Sequence, residues 1–373
     1  MIQNRGSNRN YGQKANMFKA SQKTIQIDKL EKGKVTWQSP SNIAIVKYWG
    51  KYGDQLPRNP SISLTLSEAH TQTNVTYSKK RKTDPALHFL FNGKEAPDFK
   101  SRIEKFRYRI ISYFPFLNEL DLIIESHNSF PHSSGIASSA SAMSALALCF
   151  CSIEEELKSK TNNSFLTKAS FIARLGSGSA SRSIYNGASL WGKLKTAEHS
   201  SNEFAISLEE NLHSVFKTFH DDILIISGDK KAISSSLGHQ LMEDNPYASE
   251  RYKQAELACQ QLLKILSSGD IEAFGQLAEK EAMHLHALMM SSQPGFILML
   301  PATLEAIRRL WQFRKDSQLP IYFTLDAGPN IHLLYPDSVA TEAKSFIKKE
   351  LSGVCEKEMI IQDRVGGGPK RIR

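Results

Sequence analysis

Pro131-His132-Ser133-Ser134-Gly135-Ile136-Ala137-Ser138-Ser139-Ala140-Ser141-Ala142 is a run of small residues set between two apolar patterns of different period. Upstream, Leu122-Ile123-Ile124-Glu125-Ser126 has strand character. Downstream, Ala140, Met143, Ala147 and Phe150, with Leu146 and Leu148 beside them, recur at helical spacing. A strand, a small-residue loop and a helix in that order leave unpaired backbone N–H groups at the positive end of a helix dipole, where Gly, Ser and Ala let an anion come close. One reading is therefore a phosphate cradle over Ser133–Ser141, and with it a nucleotide. The other is a serine N-cap, which needs no ligand. The stretch alone leaves both open.

The chain has 373 residues, enough for two domains and at least one large core. No apolar run approaches membrane-spanning length, and no apolar h-region follows Met1, so neither a transmembrane helix nor a secretory signal is expected. Cys149, Cys151, Cys259 and Cys355 form no C-x-x-C pair and read as reduced thiols, in keeping with a cytoplasmic location. The formal charge of +9 invites a nucleic-acid reading, but its placement argues against one. Residues 1–34 carry eight Lys/Arg against Asp28 and Glu31, and Lys370, Arg371 and Arg373 supply the remainder, so the body between is neutral. A nucleic-acid groove needs clustered charge on the folded body. Neither nucleic acid nor membrane is an expected partner.

Residues 1–33 are rich in Asn, Gln, Lys and Ser and read as a disordered basic arm. Strands dominate from Val35 to about residue 91: Ile43–Val46, Ser61–Leu66, Thr71–Tyr77 and His88–Phe91, the last followed by the hairpin signal Asn92-Gly93. Helical spacing follows near 98–114, 138–157 and 165–175, then the strand Ala188–Trp191. A second block opens near 216 with the strand Asp222–Ile226. It continues with helical patterns over 247–268, 270–291 and 300–316, strands Ile321–Leu325 and Ile331–Tyr335, a helix over 338–351 and a strand near 357–362. Interleaving without strict βαβ repetition predicts an α+β fold in two domains, 34–215 and 216–373, with the last strand and tail near their interface.

Three further segments carry chemistry. Ser41 to Lys51 sets Lys47 and Lys51 four apart at the end of an apolar strand. Such lysines often snorkel to solvent, yet the apolar setting of Lys47 fits that role poorly. Arg174 to Ser183 is a second small-residue loop, Gly176-Ser177-Gly178-Ser179-Ala180-Ser181, ending in Arg182, whose guanidinium matches a carboxylate or phosphate with two parallel donors. Thr324-Leu325-Asp326-Ala327-Gly328-Pro329-Asn330 puts an acid at a strand end before a Gly-Pro turn, either an Asx cap or a rigidly held catalytic carboxylate. Two patterns mislead. Gly187–Leu194 begins like a Walker A loop but has Leu194 where Mg²⁺ needs Ser or Thr, and Gly176-Ser177-Gly178 lacks the third glycine of a dinucleotide loop. His284 and His286, two apart on a helix, point to different sides and make no metal pair.

Together these segments resemble the diphosphomevalonate decarboxylase family, within the larger family of galactokinase, homoserine kinase, mevalonate kinase and phosphomevalonate kinase folds, over roughly residues 35 to 369. The resemblance implies an N-terminal domain with a left-handed βαβ unit, a ferredoxin-like C-terminal domain, the site between them, and a homodimer. It implies that ATP, with Mg²⁺, phosphorylates the 3-hydroxyl of mevalonate 5-diphosphate, and that loss of this phosphate with CO₂ gives isopentenyl diphosphate. By the same resemblance Asp326, Lys47 and Arg182 are catalytic. Tyr48, Trp49, Gly50 and Lys51 with Ser177, Gly178, Ser179, Ala180 and Ser181 bind the substrate diphosphate, and Arg182 its carboxylate. Ser133, Ser134, Gly135, Ile136, Ala137, Ser138, Ser139, Ala140 and Ser141 bind ATP, with Ser139 beside Mg²⁺. Ser236 stands where some bacterial relatives place an arginine on the diphosphate, Pro60 where many have a serine, and His132-Ser133-Ser134 where Thr-Ala-Ala is common. A mevalonate 3-kinase, a phosphomevalonate decarboxylase, or a nonenzymatic protein binding nucleic acid through its basic tails are the rival readings.

Overall fold

The computed structural model describes Phe18 and residues 32–83, 86–130, 136, 138–158, 163–229 and 233–373. The central strand of the N-terminal half is Ser61–Lys79, longer than either of the two strands expected there. From Ala69 onward it alternates buried and part-exposed positions, with Ala69, Thr71, Thr73, Val75 and Tyr77 turned inward. It pairs antiparallel with Lys32–Ala44 on one side and Leu120–Asn128 on the other. The expected break before Ile43 is a bulge instead: the register shifts between Pro40 and Asn42, where proline has no N–H to give the ladder.

Leu87–Phe91 runs parallel to Leu120–Asn128, with the helix Pro97–Ile110 in the connection, which makes a βαβ unit. Asn92 and Gly93 both have positive φ, 50° and 75°, and turn the chain into the short strand Lys94–Glu95. Ala188–Trp191 joins the sheet beside Ser61–Leu64.

The helix Ser138–Lys158 lies across the inward face of this sheet, and its serines explain much of the small-residue run. Ser141 Oγ meets Thr71 Oγ1 at 2.6 Å, Ser144 Oγ meets Ser39 Oγ at 2.6 Å, and Ser152 Oγ accepts from Trp37 Nε1 at 2.9 Å. Small hydroxyls let the helix approach closely and satisfy the polar groups that the strands turn inward.

The C-terminal half follows the order β-α-β-β-α-β: strand His220–Leu224, three long helices, strands Tyr322–Leu325 and Ile331–Tyr335, the helix Ala340–Phe346 and the strand Ile360–Ile361. In the sheet the order is Tyr322–Leu325, Ile331–Tyr335, His220–Leu224, Ile360–Ile361, every pair antiparallel. That is the ferredoxin-like arrangement, and with the first sheet it makes an α+β fold in two domains. The helices Ala248–Ser268, Ile271–Met290 and Pro301–Ser317 fall where the apolar period places them.

One core joins the halves. Ile43, Ile62 and Leu190 from the first sheet pack with Phe219, Leu262 and Phe274 from the second half. The chain then returns to the first sheet, where Lys370–Arg371 pairs with Trp37 and Gln38. Most of the expected arm lies outside the described residues, but Lys32 and Gly33 already belong to the first strand, so the folded body begins before residue 34. Phe18 is itself buried, with its ring 5.1 Å from that of Phe171.

Candidate active site

Lys47, Arg182 and Asp326 come together from three elements. Lys47 follows the strand Lys32–Ala44, Arg182 sits in a tight 3₁₀ turn over Gly178–Ile184, and Asp326 follows Tyr322–Leu325. Most of the small-residue loop expected at Gly176–Ser183 is thus a 3₁₀ turn. Lys47 is 1% exposed and Arg182 2%, so both cations are withdrawn from water. Burial pushes the Lys47 ammonium down to about 8 and the Arg182 guanidinium down to about 10, and in both cases the nearby Asp326 carboxylate opposes the shift. That carboxylate therefore acts on both cations at once.

Arg182 is aimed by its Nε, which donates to Ser63 Oγ at 3.0 Å and to Asn42 Oδ1 at 3.3 Å. Asn42 sits just beyond the bulge, so the irregular register supplies the acceptor. Arg182 Nη1 is buried with no hydrogen-bond partner, as is the Tyr48 hydroxyl. Unmet buried donors are costly and rare in a finished core. Here they point to an anionic or oxygen-rich ligand.

Tyr48 to Lys51 is shaped by the second half of the chain. The Gly50 N–H donates to His239 Nδ1 at 2.9 Å, and the His239 ring lies 4.3 Å from that of Tyr48 and 4.7 Å from that of Trp49. Burial holds His239 neutral, pushing it down to about 3, which suits a ring that must accept a backbone N–H. Gly50 has φ +93°, open to glycine, and a Cβ there would lie 2.5 Å from Tyr252 Oη. Gly178 is equally confined: a Cβ would lie 2.7 Å from Trp191 and 2.8 Å from Tyr48 Oη. Lys51 is half-buried and donates to Gln55 Oε1 at 3.0 Å.

Ser133, Ser134, Gly135 and Ala137 lie outside the described residues. Of the rest of the expected cradle, Ile136, Ala140 and Ser141 are buried, and the Ile136 carbonyl accepts from Ser41 Oγ at 2.6 Å. Ala180 and Ser181 are buried as well, and Ser181 Oγ donates to the Gly178 carbonyl at 2.9 Å. The Ser141 and Ser181 hydroxyls are thus both engaged within the protein. Ser138, Ser139, Ser177 and Ser179 keep some exposure, and Ser139 Oγ stands 3.3 Å from Ser177 Oγ, which brings the two small-residue loops together. Ser236 is exposed in the first turn of the helix Ser235–Gln240.

An apolar pocket opens beside Ser138 and Ser139, walled by Phe89, Phe91, Phe99 and Met143 with Arg102 and Asn128 at its margin. The strand and the helix that bear these phenylalanines are legible in the sequence; the pocket between them is not. Glu281, Arg251 and His239 lie outside every motif quoted above. A signal existed for the first two, since each interrupts an otherwise apolar helix face: Leu277, Glu281, Leu285 and Leu288 on one, Ala248, Arg251, Ala255 and Cys259 on the other. The Nε2 of His286 lies 3.2 Å from the Asp326 carbonyl. Among the described residues no three His, Cys, Asp or Glu side chains gather into a metal-sized cluster.

Comparison with known proteins agrees with this geometry. The sequence model described as "Diphosphomevalonate decarboxylase-like N-terminal domain" matches residues 39–202, and that described as "Mevalonate 5-diphosphate decarboxylase C-terminal domain" matches 222–370. The diphosphomevalonate decarboxylase of Candida albicans is 28% identical over 358 residues, covering 89% of this chain and 96% of its own. The human one is 26% identical over 332 residues, covering 83% and 78%. The crystal structure of the mevalonate diphosphate decarboxylase of Staphylococcus aureus superposes with a TM-score of 0.79 at 27% identity, covering 93% of this chain and 99% of that one. A structure of MDDEF in complex with MVAPP, AMPPCP and magnesium superposes at 0.77 with 26% identity, covering 92% and 99%. With both of its halves matched in order, and with Lys47, Arg182 and Asp326 gathered where those halves meet, the chain belongs to the diphosphomevalonate decarboxylase family.

Proposed function

We propose that this protein catalyses the ATP-dependent decarboxylation of mevalonate 5-diphosphate to isopentenyl diphosphate, with ADP, phosphate and CO₂ as the other products. The observation that carries the reading is the pair of buried cations sharing one carboxylate, with Arg182 Nη1 left without a partner. Phosphorylation alone needs a base and a positive charge at the phosphoryl group. A buried guanidinium with an open edge adds a holder for a carboxylate that must later leave.

Asp326 accepts or orients the proton of the 3-hydroxyl as that oxygen attacks the γ-phosphorus and ADP departs. Lys47 stabilises charge on the transferring phosphoryl oxygens. The bond from C3 to the new phosphate then breaks, and positive charge grows at C3 beside Asp326. The electron pair of the bond to the carboxyl carbon becomes the new double bond as CO₂ leaves. Arg182 orients that carboxylate. Tyr48 to Lys51, Ser177 and Ser179 hold the diphosphate, and Ser236 adds a weaker contact than an arginine would. The Phe89, Phe91 and Phe99 pocket takes the nucleotide base.

A hard cation takes oxygen ligands, and the exposed Ser139 hydroxyl, close to that of Ser177, would help hold one. When bound, Mg²⁺ supplies charge neutralisation to those phosphates. Residues 34–215 act as the ATP- and substrate-binding domain and 216–373 as its partner, in a cytoplasmic homodimer. The free, buried state of all four cysteines suits a reducing compartment, and no described helix is long and apolar enough to cross a membrane.

Turnover of mevalonate 5-diphosphate, following ADP and CO₂ together, tests the reading. One CO₂ per ADP is expected. ADP without CO₂ would make the protein a 3-kinase, and a preference for the monophosphate would move the substrate. Asp326→Asn is expected to lower kcat at least ~10³-fold, the scale of a lost general base with its charge, while ATP binding stays measurable by calorimetry.

A further inference from the structure

Lys47 is gripped by two residues that none of the sequence motifs contains. Glu281, on the helix Ile271–Met290, accepts the backbone N–H of Lys47 at Oε2, 2.9 Å away. Arg251, on the helix Ala248–Ser268, donates from Nη2 to the Lys47 carbonyl at 3.1 Å. The two side chains also pair with each other through two parallel bonds, Nη1 to Oε1 and Nη2 to Oε2, each 2.7 Å. Glu281 is 2% exposed and Arg251 4%. Asn59 Nδ2 adds a third hold, donating to the same carbonyl at 3.0 Å.

A buried ion pair is weak evidence for stability, because apolar side chains of the same volume often do as well. This pair does something apolar side chains cannot. One carboxylate and one guanidinium take both backbone polar groups of a single residue, the one bearing the ammonium. The lysine side chain is then fixed at its root, and its Nζ turns back to the Ala44 carbonyl at 2.5 Å. We infer that the Glu281–Arg251 pair is a positioning device for Lys47, holding its peptide from the C-terminal helices so that the ammonium is presented to the phosphoryl group only when those helices are docked on the first strand.

The inference rests on Lys47 serving the phosphoryl group, as proposed above. The charges acting on Lys47 are Asp326 beyond the strand Tyr322–Leu325, Glu281, Asp221 on the strand His220–Leu224, and Arg182 in the 3₁₀ turn, with the Arg251 guanidinium paired to Glu281. Glu281 favours the protonated lysine, so its removal lowers the pH at which Lys47 loses its proton.

The test compares Glu281→Gln, Arg251→Lys, the neutral pair Glu281→Gln/Arg251→Gln, and Lys47→Met. Glu281→Gln should lower kcat by about 10- to 100-fold with KM for mevalonate 5-diphosphate changed less than about threefold. The alkaline limb of its kcat/KM profile, which reports the free enzyme, should move to lower pH by about half a unit or more. Arg251→Lys keeps the charge but loses the fork, and should lower kcat with a smaller displacement of the limb. Should the lone buried arginine unfold Glu281→Gln, the neutral double variant carries the same test without an unpaired charge. A folded Glu281→Gln or double variant with kcat within twofold of wild type and an unmoved limb overturns the inference. Lys47→Met separates the two claims: turnover within tenfold of wild type would remove the role of Lys47 itself, whereas a dead Lys47→Met beside an unaffected Glu281→Gln removes only the positioning role.

Discussion

Arg182→Gln isolates the step that distinguishes a decarboxylase from a kinase. The guanidinium is 2% exposed, its Nε is spent on Ser63 and Asn42, and its Nη1 has no partner. A carboxylate meeting the open edge gains charge-assisted hydrogen bonds of about 1.5–3 kcal/mol each. With two such bonds and incomplete additivity, the substitution should cost about 3–4 kcal/mol, or ~10²–10³-fold in kcat/KM. Stability should move the other way. In the ligand-free protein the buried guanidinium is held down to about 10, chiefly by desolvation, so removing its charge relieves a cost. The melting temperature of Arg182→Gln should therefore match or exceed that of wild type, within about 2 °C at the lower end. Simultaneous measurement of ADP and CO₂, with a thermal melt of the same preparation, supplies the assay. The reasoning fails if kcat/KM stays within fivefold of wild type, or if activity and melting temperature fall together as for a structural residue.

Two further outcomes follow from the same geometry. Lys47 has its folded-state pKa lowered from 10.5 to about 8, so between those values the unfolded chain binds more protons and stability rises with pH. Lys47→Met should accordingly be more stable than wild type by up to about 3 kcal/mol below pH 8, a gain that fades to nothing by about pH 10.5, as paired denaturant titrations across that window would reveal. Gly178→Ala places a methyl 2.7–2.8 Å from Trp191 and Tyr48 Oη; displacement of Tyr48 should raise KM for mevalonate 5-diphosphate about tenfold or more while KM for ATP changes little, and equal changes in both would count against the assigned diphosphate contact.

The elements were legible where local chemistry decides them. Asn92-Gly93 announces its own turn because two consecutive positive φ angles admit few other residues. The long helices of the second half declare themselves by apolar period. Strand boundaries were less legible, since the interruption at Pro40–Asn42 is a bulge in one strand and local sequence cannot separate a bulge from a loop. The opening run of small residues proved to have two uses. Ser141 faces Thr71 inside the domain, while Ser139 faces outward toward Ser177, and only the position of the sheet tells them apart. Lys47, Arg182 and Asp326 stood out as charges in apolar or small-residue settings. Glu281 and Arg251 stood out no less, but what they hold is a peptide more than two hundred residues away, and contacts of that separation leave no local trace.

The first strand, Lys32–Ala44, lies next to the border of its sheet, and among the described residues its outer edge is covered by the segment that includes Lys370–Arg371. Thr36 N–H donates to the Arg373 carbonyl at 3.0 Å, Ile372 N–H to the Thr36 carbonyl at 2.9 Å, and Arg371 pairs with Glu156 on the helix behind. During synthesis this edge is made early and its cover late. At ~5–20 residues per second the nascent N-terminal half spends some tens of seconds with unpaired strand groups open to other chains. A chain that lacked Lys370–Arg371 would carry that edge uncovered, so the last strand guards the first against pairing with other chains.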